Sequence, residues 1–291
     1  MSGEIEFDSV TKHYPVPRRA RRQGADASAG PAVNAFSATI AQGTTTVLLG
    51  SSGSGKTTLM RMVNRMVEPT SGRVLIDGED VAGRDPVVLR RSIGYVMQNG
   101  GLLPHRRVID NITLVPRLNG TSRADAAHRA RELMGILGLD LALAERYPHE
   151  LSGGQAQRVG VARALAADPA ILLMDEPFGA VDPLVRRELQ AETARLQREL
   201  GKTILFVTHD VDEALALGDE IIVLREGGRI AQRGTGPQIL HHPADAFVER
   251  FLGLDDHIRA SRLRETVIRD SGAGSPSSPA PAPEAAEVAR P

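Results

Sequence analysis

Residues 50–57 read Gly-Ser-Ser-Gly-Ser-Gly-Lys-Thr, a phosphate-cradling loop of the G-x-x-x-x-G-K-[ST] type. Gly50, Gly53 and Gly55 open backbone conformations closed to other residues. The amides of the loop, Ser51, Ser52 and Ser54 among them, can then turn inward as an anion nest. The preceding stretch, Thr45-Thr46-Val47-Leu48-Leu49, is short, apolar and β-branched and reads as a buried strand. The following stretch, Thr58–Arg65, reads as a helix, so phosphate would sit on a helix N-terminus, where unsatisfied N–H groups and the dipole favour negative charge. Lys56 is placed to reach the β- and γ-phosphates and Thr57 to offer its hydroxyl to Mg²⁺. By itself the loop marks a phosphate site; an ordinary glycine-rich turn is the plainer alternative.

Two further stretches raise the stakes. Residues 171–177 read Ile-Leu-Leu-Met-Asp-Glu-Pro, an apolar strand delivering two acids at its C-terminal edge. Alone, that is a solvated strand end. Beside a phosphate loop, Asp175 is suited to hold Mg²⁺ and Glu176 to take a proton from attacking water. Residues 151–155 read Leu-Ser-Gly-Gly-Gln, which on local grounds is a serine-capped helix start.

Composition fits one large α/β domain or two smaller ones. The chain has 291 residues, enough to bury roughly three-quarters of its unfolded surface without staples. It has no cysteine, so disulfides and thiolate metal sites are excluded, in keeping with a cytosolic setting. A formal net charge of −1 exerts no global pull towards nucleic acid or membrane, and no nucleic-acid partner is expected. Met1-Ser2-Gly3-Glu4 opens with neither a basic nor an apolar leader region. The longest apolar runs, 170–174 and 221–224, fall far short of the ~20 residues that span a bilayer.

Strand and helix patterns alternate along the chain, which predicts an α/β fold with a largely parallel sheet. Residues 4–7 alternate like an edge strand, and 73–78 form a strand ending in a turn. Residues 122–138 and 155–167 are expected to be helices, as are 184–200, with Leu184, Leu189, Leu196 and Leu200 on a helical period. Residues 170–174 and 203–208 are buried strands. The segments 220–224 and 229–232 flank Gly227-Gly228 as a hairpin. From Ser271 onward, Ser, Pro, Ala and Glu dominate and predict disorder. No internal repeat is visible.

The phosphate loop, Leu151–Gln155 and the 171–177 strand, in this order, resemble the ATP-binding-cassette (ABC) ATPase family over about residues 4–253. Further motifs match. Tyr14 stands where the family places an adenine-stacking aromatic, Gln98 at the Q-loop glutamine, Asp182 at the D-loop aspartate and His209 at the switch histidine that touches the γ-phosphate. Alone, Tyr14 is a half-buried aromatic, Gln98 a polar loop residue and His209 a structural histidine. Two flanks depart from the commoner pattern: Ala156-Gln157-Arg158 follows the signature, and Gly179-Ala180-Val181 precedes Asp182.

The resemblance implies a P-loop NTPase (RecA-like) core at 1–98 and 166–253, an antiparallel β lobe, and a helical subdomain inserted at about 99–165. A short extension follows from 254. It implies Mg²⁺-dependent ATP hydrolysis, with Glu176, His209 and Gln98 catalytic and Thr57, Gln98 and Asp175 around the metal. Nucleotide contacts would come from Tyr14, residues 50–58 including Thr58, and Ser152, Gly153, Gly154, Gln155 and Asp182. The signature faces the γ-phosphate held by an opposite subunit, so the implied assembly is a head-to-tail dimer closing on ATP. Its motion would pass through the segment after Gln98 to a membrane partner.

Residues 93–112, with 59–65, 68–72 and 115–118, look most like ATP-binding subunits of importers for glycine betaine, carnitine, choline and related osmoprotectants. That implies a transmembrane permease, an extracytoplasmic substrate-binding protein, and a peripheral position on the cytoplasmic face of the membrane. Many relatives carry paired nucleotide-sensing modules after the ATPase; the residues after Gly253 are too few for such a pair. Arg18, Arg19, Arg21 and Arg22 form a basic run that reads as a solvated loop or as a lipid-attracted patch. Two rivals stand beside the importer reading: a soluble ABC ATPase acting on a non-membrane partner, and a P-loop phosphotransferase, which would have no use for Leu-Ser-Gly-Gly-Gln.

Overall fold

A computed structural model describes residues 3–15, 30–98, 100–179, 183–256, 260, 261 and 263. The side chains of 183–185 and 196 are not described, so the Leu184 and Leu196 positions lie outside it. So do Asp182, the Arg18–Arg22 run and the tail from 271.

The strands are β1 (Ile5–Lys12), β2 (Val33–Ile40), β3 (Thr45–Gly50), β4 (Ser71–Ile76), β5 (Glu79–Asp80), β6 (Ile93–Val96), β7 (Ile171–Asp175), β8 (Thr203–Thr208), β9 (Glu220–Arg225) and β10 (Arg229–Gly234). The α-helices are α1 (Lys56–Val63), α2 (Pro86–Ser92), α3 (Val108–Ile112), α4 (Leu114–Leu118), α5 (Arg123–Ile136), α6 (Gly153–Leu165), α7 (Pro183–Leu200), α8 (Val211–Leu217), α9 (Gly236–His241) and α10 (Ala246–Leu252).

A six-stranded sheet runs β10-β9-β3-β8-β7-β6. Its strands from β9 to β6 are parallel, and only β10 turns back, antiparallel to β9, forming the expected hairpin. β3, β7 and β8 are buried at every residue, as a parallel sheet covered on both faces requires. Successive side chains go to opposite cores. Val47, Leu49, Leu172, Met174, Ile204 and Phe206 join one cluster with α5, α6, α8 and α9. Leu48, Ile171, Leu173, Leu205 and Val207 join the other with α1 and the second sheet.

That second sheet is antiparallel and four-stranded, in the order β2-β1-β4-β5. Here the expectation for residues 4–7 needs correction: β1 is interior, paired with β2 on one side and β4 on the other. Its alternating burial reports one face on the core and one towards solvent, which an interior antiparallel strand shows as readily as an edge strand. Between β6 and β7 the chain is helical, α3 to α6.

Helix boundaries shift from expectation for local reasons. α1 begins at Lys56 rather than Thr58, because Gly55 in a left-handed conformation (φ 95°) already opens it; it ends at Val63, and Arg65 takes φ 54°. α6 begins at Gly153 rather than 155, since Ser152 caps it. Ser152 Oγ accepts from the Gln155 amide (3.3 Å), and Gln155 Oε1 accepts from the Ser152 amide (2.9 Å), a reciprocal capping box.

Candidate active site

The register of the parallel sheet decides what meets at its C-terminal rim. Leu49 pairs with Thr208, Gly50 with Leu224, and Asp175 with Val207. The phosphate loop, the two acids after β7 and the histidine after β8 are therefore carried to one edge by three strands far apart in sequence.

The loop at the end of β3 needs its glycines. Gly53 and Gly55 have φ of 83° and 95°, and a Cβ on Gly55 would lie 2.6 Å from the Ala32 carbonyl oxygen. A side chain there would displace the backbone from the start of β2. Lys56 is 5% exposed and folds back over the loop. Its Nζ donates to the Gly50 carbonyl (2.7 Å), the Ser51 carbonyl (2.8 Å) and, more weakly, Ser54 Oγ (3.5 Å). Burial lowers its pKa, while the charges of Glu176 and Asp175 act in the opposite direction. An open cleft of about 570 Å³ beside the loop is lined by Ser52, Gly53, Gly55, Lys56, Thr57, Thr58 and Glu176, with Ala32 behind. Thr58 Oγ1 lies 3.3 Å from the Tyr14 hydroxyl. The Tyr14 ring is half exposed at 51%, which leaves aromatic surface for a stacking partner.

Thr57 Oγ1 donates to Asp175 Oδ1 at 3.0 Å. Two hard oxygen donors thus sit side by side, the chemistry Mg²⁺ takes. Among the described residues no group of three or more His, Cys, Asp or Glu is spaced to cage a metal. Two neighbours of Asp175 were missed in the sequence. Tyr95 OH donates to Asp175 Oδ2 (3.4 Å) and Arg61 Nη2 lies 3.7 Å from the same oxygen. Arg61 follows Asp175's partner Thr57 by one helical turn, a spacing that could have been found.

Glu176 stands in the left-handed region at φ 44°, uncommon for a residue with a side chain and a marker of a constrained site. Its backbone amide donates to the Val207 carbonyl (2.9 Å). Its carboxylate is bridged: Gln98 Nε2 donates to Oε2 at 3.0 Å, and His209 Nδ1 lies 3.1 Å from Oε1. The sequence-predicted catalytic residues are therefore in mutual contact. Gln98 meets Glu176 and not the Thr57–Asp175 pair.

His209 is aimed by a tight turn. Thr208 Oγ1 donates to buried Glu213 Oε2 (2.7 Å) and accepts from the Asp210 amide (3.0 Å), and Asp210 caps α8. Burial pushes the Glu213 carboxyl pKa up, against the lowering effect of the Thr208 bond.

A family model described as ABC transporter matches residues 33–179. The chain belongs to the ABC transporter family. It is 52% identical over 229 residues to the glycine betaine/carnitine/choline transport ATP-binding protein OpuCA of Bacillus subtilis, covering 79% of this chain and 60% of that one. It is 51% identical over 264 residues to the glycine betaine uptake system ATP-binding protein YehX of Escherichia coli, covering 90% and 81%. Among solved structures, a dimeric post-hydrolysis state of the ATP-binding cassette MJ0796 bound to ADP and Pi superposes with a TM-score of 0.69 at 31% identity, covering 79% and 98%. The chain thus spans about three-fifths of the Bacillus relative's length.

In this ABC chain the signature residues Ser152, Gly153, Gly154 and Gln155 are not brought to the loop. Ser152 and Gly153 are exposed at the tip of α6, and none of the four lines the cleft among the described residues.

Burial of Asp175, 7% exposed, raises its pKa, and the Thr57 and Tyr95 hydrogen bonds and the Arg61 charge offset only part of that. A raised folded-state pKa means the carboxyl's contribution to stability is full below the unfolded value and lost as pH rises through the folded one. At neutral pH the charged group therefore strains the ligand-free ABC fold. Asp175→Asn is expected to melt higher than the parent without metal or nucleotide. The gap should narrow as pH falls into the range where carboxylates take up protons, since the parent group then loses its charge too. Thermal melts of both proteins across that range check it; a gap independent of pH would contradict the charge as cause.

Proposed function

We propose that the chain is the ATP-hydrolysing subunit of an ABC importer, peripheral on the cytoplasmic face of a membrane. Its cargo is a small solute, a quaternary amine such as glycine betaine, carnitine or choline. The observation that carries the catalytic half is the convergence of the Thr57–Asp175 pair and the Gln98–Glu176–His209 bridge on the phosphate loop. The cargo half is supported by the names of relatives at about half identity.

In this reading Lys56 and the loop amides position the β- and γ-phosphates, and Tyr14 stacks on the base. Glu176 accepts the proton of the attacking water, Gln98 and His209 hold that carboxylate in place, and His209 senses the γ-phosphate. Thr57 and Asp175 would hold Mg²⁺, which supplies charge neutralisation on the phosphates when bound. Ser152, Gly153, Gly154, Gln155 and Asp182 complete the site of a second copy, an arrangement supported by the exposure of the α6 tip. The ATPase domain is taken as 1–253, with its helical part at about 99–165. Among the described residues no helix is long and apolar enough to cross a membrane, so the solute path would belong to a permease. An extracytoplasmic binding protein would deliver the solute. A cleft of about 720 Å³ behind the Gln98 segment, lined by Tyr95, Met97, Leu103, Leu114 and Val115, suits the permease contact.

Affinity purification of the tagged protein from detergent-solubilised native membranes, with mass spectrometry of its companions, tests the assignment. A polytopic permease and a substrate-binding protein are expected. Recovery from the soluble fraction alone, with ribosomal or nucleic-acid partners, would leave the ATPase chemistry and overturn the transport role in favour of a soluble ABC ATPase.

A further inference from the structure

The segment after Gln98 turns through Gly100 and Gly101, with φ of 66° and 57°. Both are left-handed, and their carbonyls point at α6. Arg163, on the last turn of that helix, reaches both: Nη1 donates to the Gly101 carbonyl at 2.7 Å and Nη2 to the Gly100 carbonyl at 2.9 Å. Among the described residues no carboxylate pairs with this guanidinium, and burial lowers its pKa with no acidic group opposing. Arg163 is half-buried, and a partly desolvated guanidinium without a counter-charge is unfavourable unless its hydrogen bonds hold something in place. The backbones also touch. A Cβ on Gly160 would lie 3.2 Å from the Gly100 carbonyl oxygen and 3.3 Å from its Cα, and a Cβ on Gly100 would lie 3.3 Å from the Ala156 carbonyl oxygen. The turn is thus seated on one face of α6 and forked from the end by Arg163.

We propose that Arg163 is a positioning residue that locks the Gly100-Gly101 turn to α6, so that Gln98 at Glu176 and Ser152 at the far tip of the same helix move as one body. The inference rests on the ATPase reading above and assigns to one side chain the link between the two halves of a shared site. α6 is an unbroken helix with Ser152 as its cap, so a displacement at its Arg163 end is carried to the tip without loss. Arginine suits the task because its planar fork holds adjacent carbonyls at once, whereas an ammonium offers a point charge.

The test uses the full chain carrying Glu176→Gln and follows ATP-driven dimerisation by light scattering, alongside nucleotide affinity of the monomer. Adding Arg163→Met, which keeps the aliphatic stem, is expected to raise the ATP concentration for half-maximal dimerisation about tenfold, while monomer affinity stays within about twofold. Arg163→Lys should recover part of the loss. A residue of purely structural value would instead lower the melting temperature and leave this split unmoved. If Arg163→Met does not fold, Gly160→Ala presses on the same contact: it keeps Arg163 and makes the Gly100 backbone give by a few tenths of an ångström. Unchanged dimerisation in a folded variant overturns the lock. Failure of the Glu176→Gln parent itself to dimerise on ATP would overturn the ATPase reading and the lock with it.

Discussion

Glu176→Gln is expected to bind ATP, slow its hydrolysis by roughly 10²–10⁴-fold, the usual worth of a positioned general base, and accumulate as an ATP-loaded dimer. The side chain is nearly isosteric, so the left-handed backbone at φ 44° and the amide bond to Val207 are kept. What changes is proton affinity. The carboxylate accepts from Gln98 Nε2 on one oxygen and faces His209 Nδ1 with the other, and both neighbours favour a negative charge there. A neutral amide has no proton-accepting oxyanion; its carbonyl can still accept from Gln98 Nε2, and its NH₂ can donate to His209 Nδ1 when that ring is neutral with its proton on Nε2. Single-turnover hydrolysis, with light scattering on the same sample, checks the prediction. A variant that hydrolyses ATP at the parent's rate would assign the base elsewhere.

Lys56→Ala is expected to lose nucleotide almost entirely. Removing one partner of a buried charged contact costs about 2–5 kcal/mol, roughly thirty-fold to several-thousand-fold in affinity. In the ligand-free protein the ammonium is held by the Gly50 and Ser51 carbonyls, so it is already placed over the loop. Truncation removes the charge that phosphate meets and leaves the Gly50 carbonyl in a buried pocket without that donor. Isothermal titration with ATP measures the loss. Lys56→Arg should not rescue it, because a planar fork does not reproduce the compact ammonium that converges on the Gly50 and Ser51 carbonyls. Parent-like affinity in either variant would remove the lysine from the phosphate site.

Local chemistry made the strand–loop–helix at 45–63 and the acids after β7 legible. A glycine-rich turn ending in Lys-Thr, or a buried apolar run ending in Asp-Glu, carries its meaning within a few residues. What depended on distant partners was not legible. β1 read as an edge because its alternation records one exposed face, whereas its interior place is set by β2 and β4, outside any local window. β2 itself, and helices α2 and α8, went unread, although Asp85 followed by Pro86, and Asp210, are capping signals at the two helix starts. In the site, Gln98, Glu176 and His209 were named from motif order, but only the sheet register shows that they touch. Tyr95 went unmarked because a hydroxyl near a carboxylate leaves no trace in spacing, whereas Arg61, one turn after Thr57, had a spacing that went unused. Arg163 was hidden for the same reason: its partners are main-chain carbonyls.

The position of β3 between β8 and β9 has a consequence for biosynthesis. The phosphate loop leaves the ribosome early, yet both strands that flank it lie more than a hundred and fifty residues downstream. A nascent chain that has emerged only through β7 has β3 with neither sheet neighbour, and its loop carries no Glu176–His209 bridge. Such long-range pairing folds slowly and leaves unpaired strand edges exposed meanwhile. The early segments therefore depend on other protection until β8 and β9 are made.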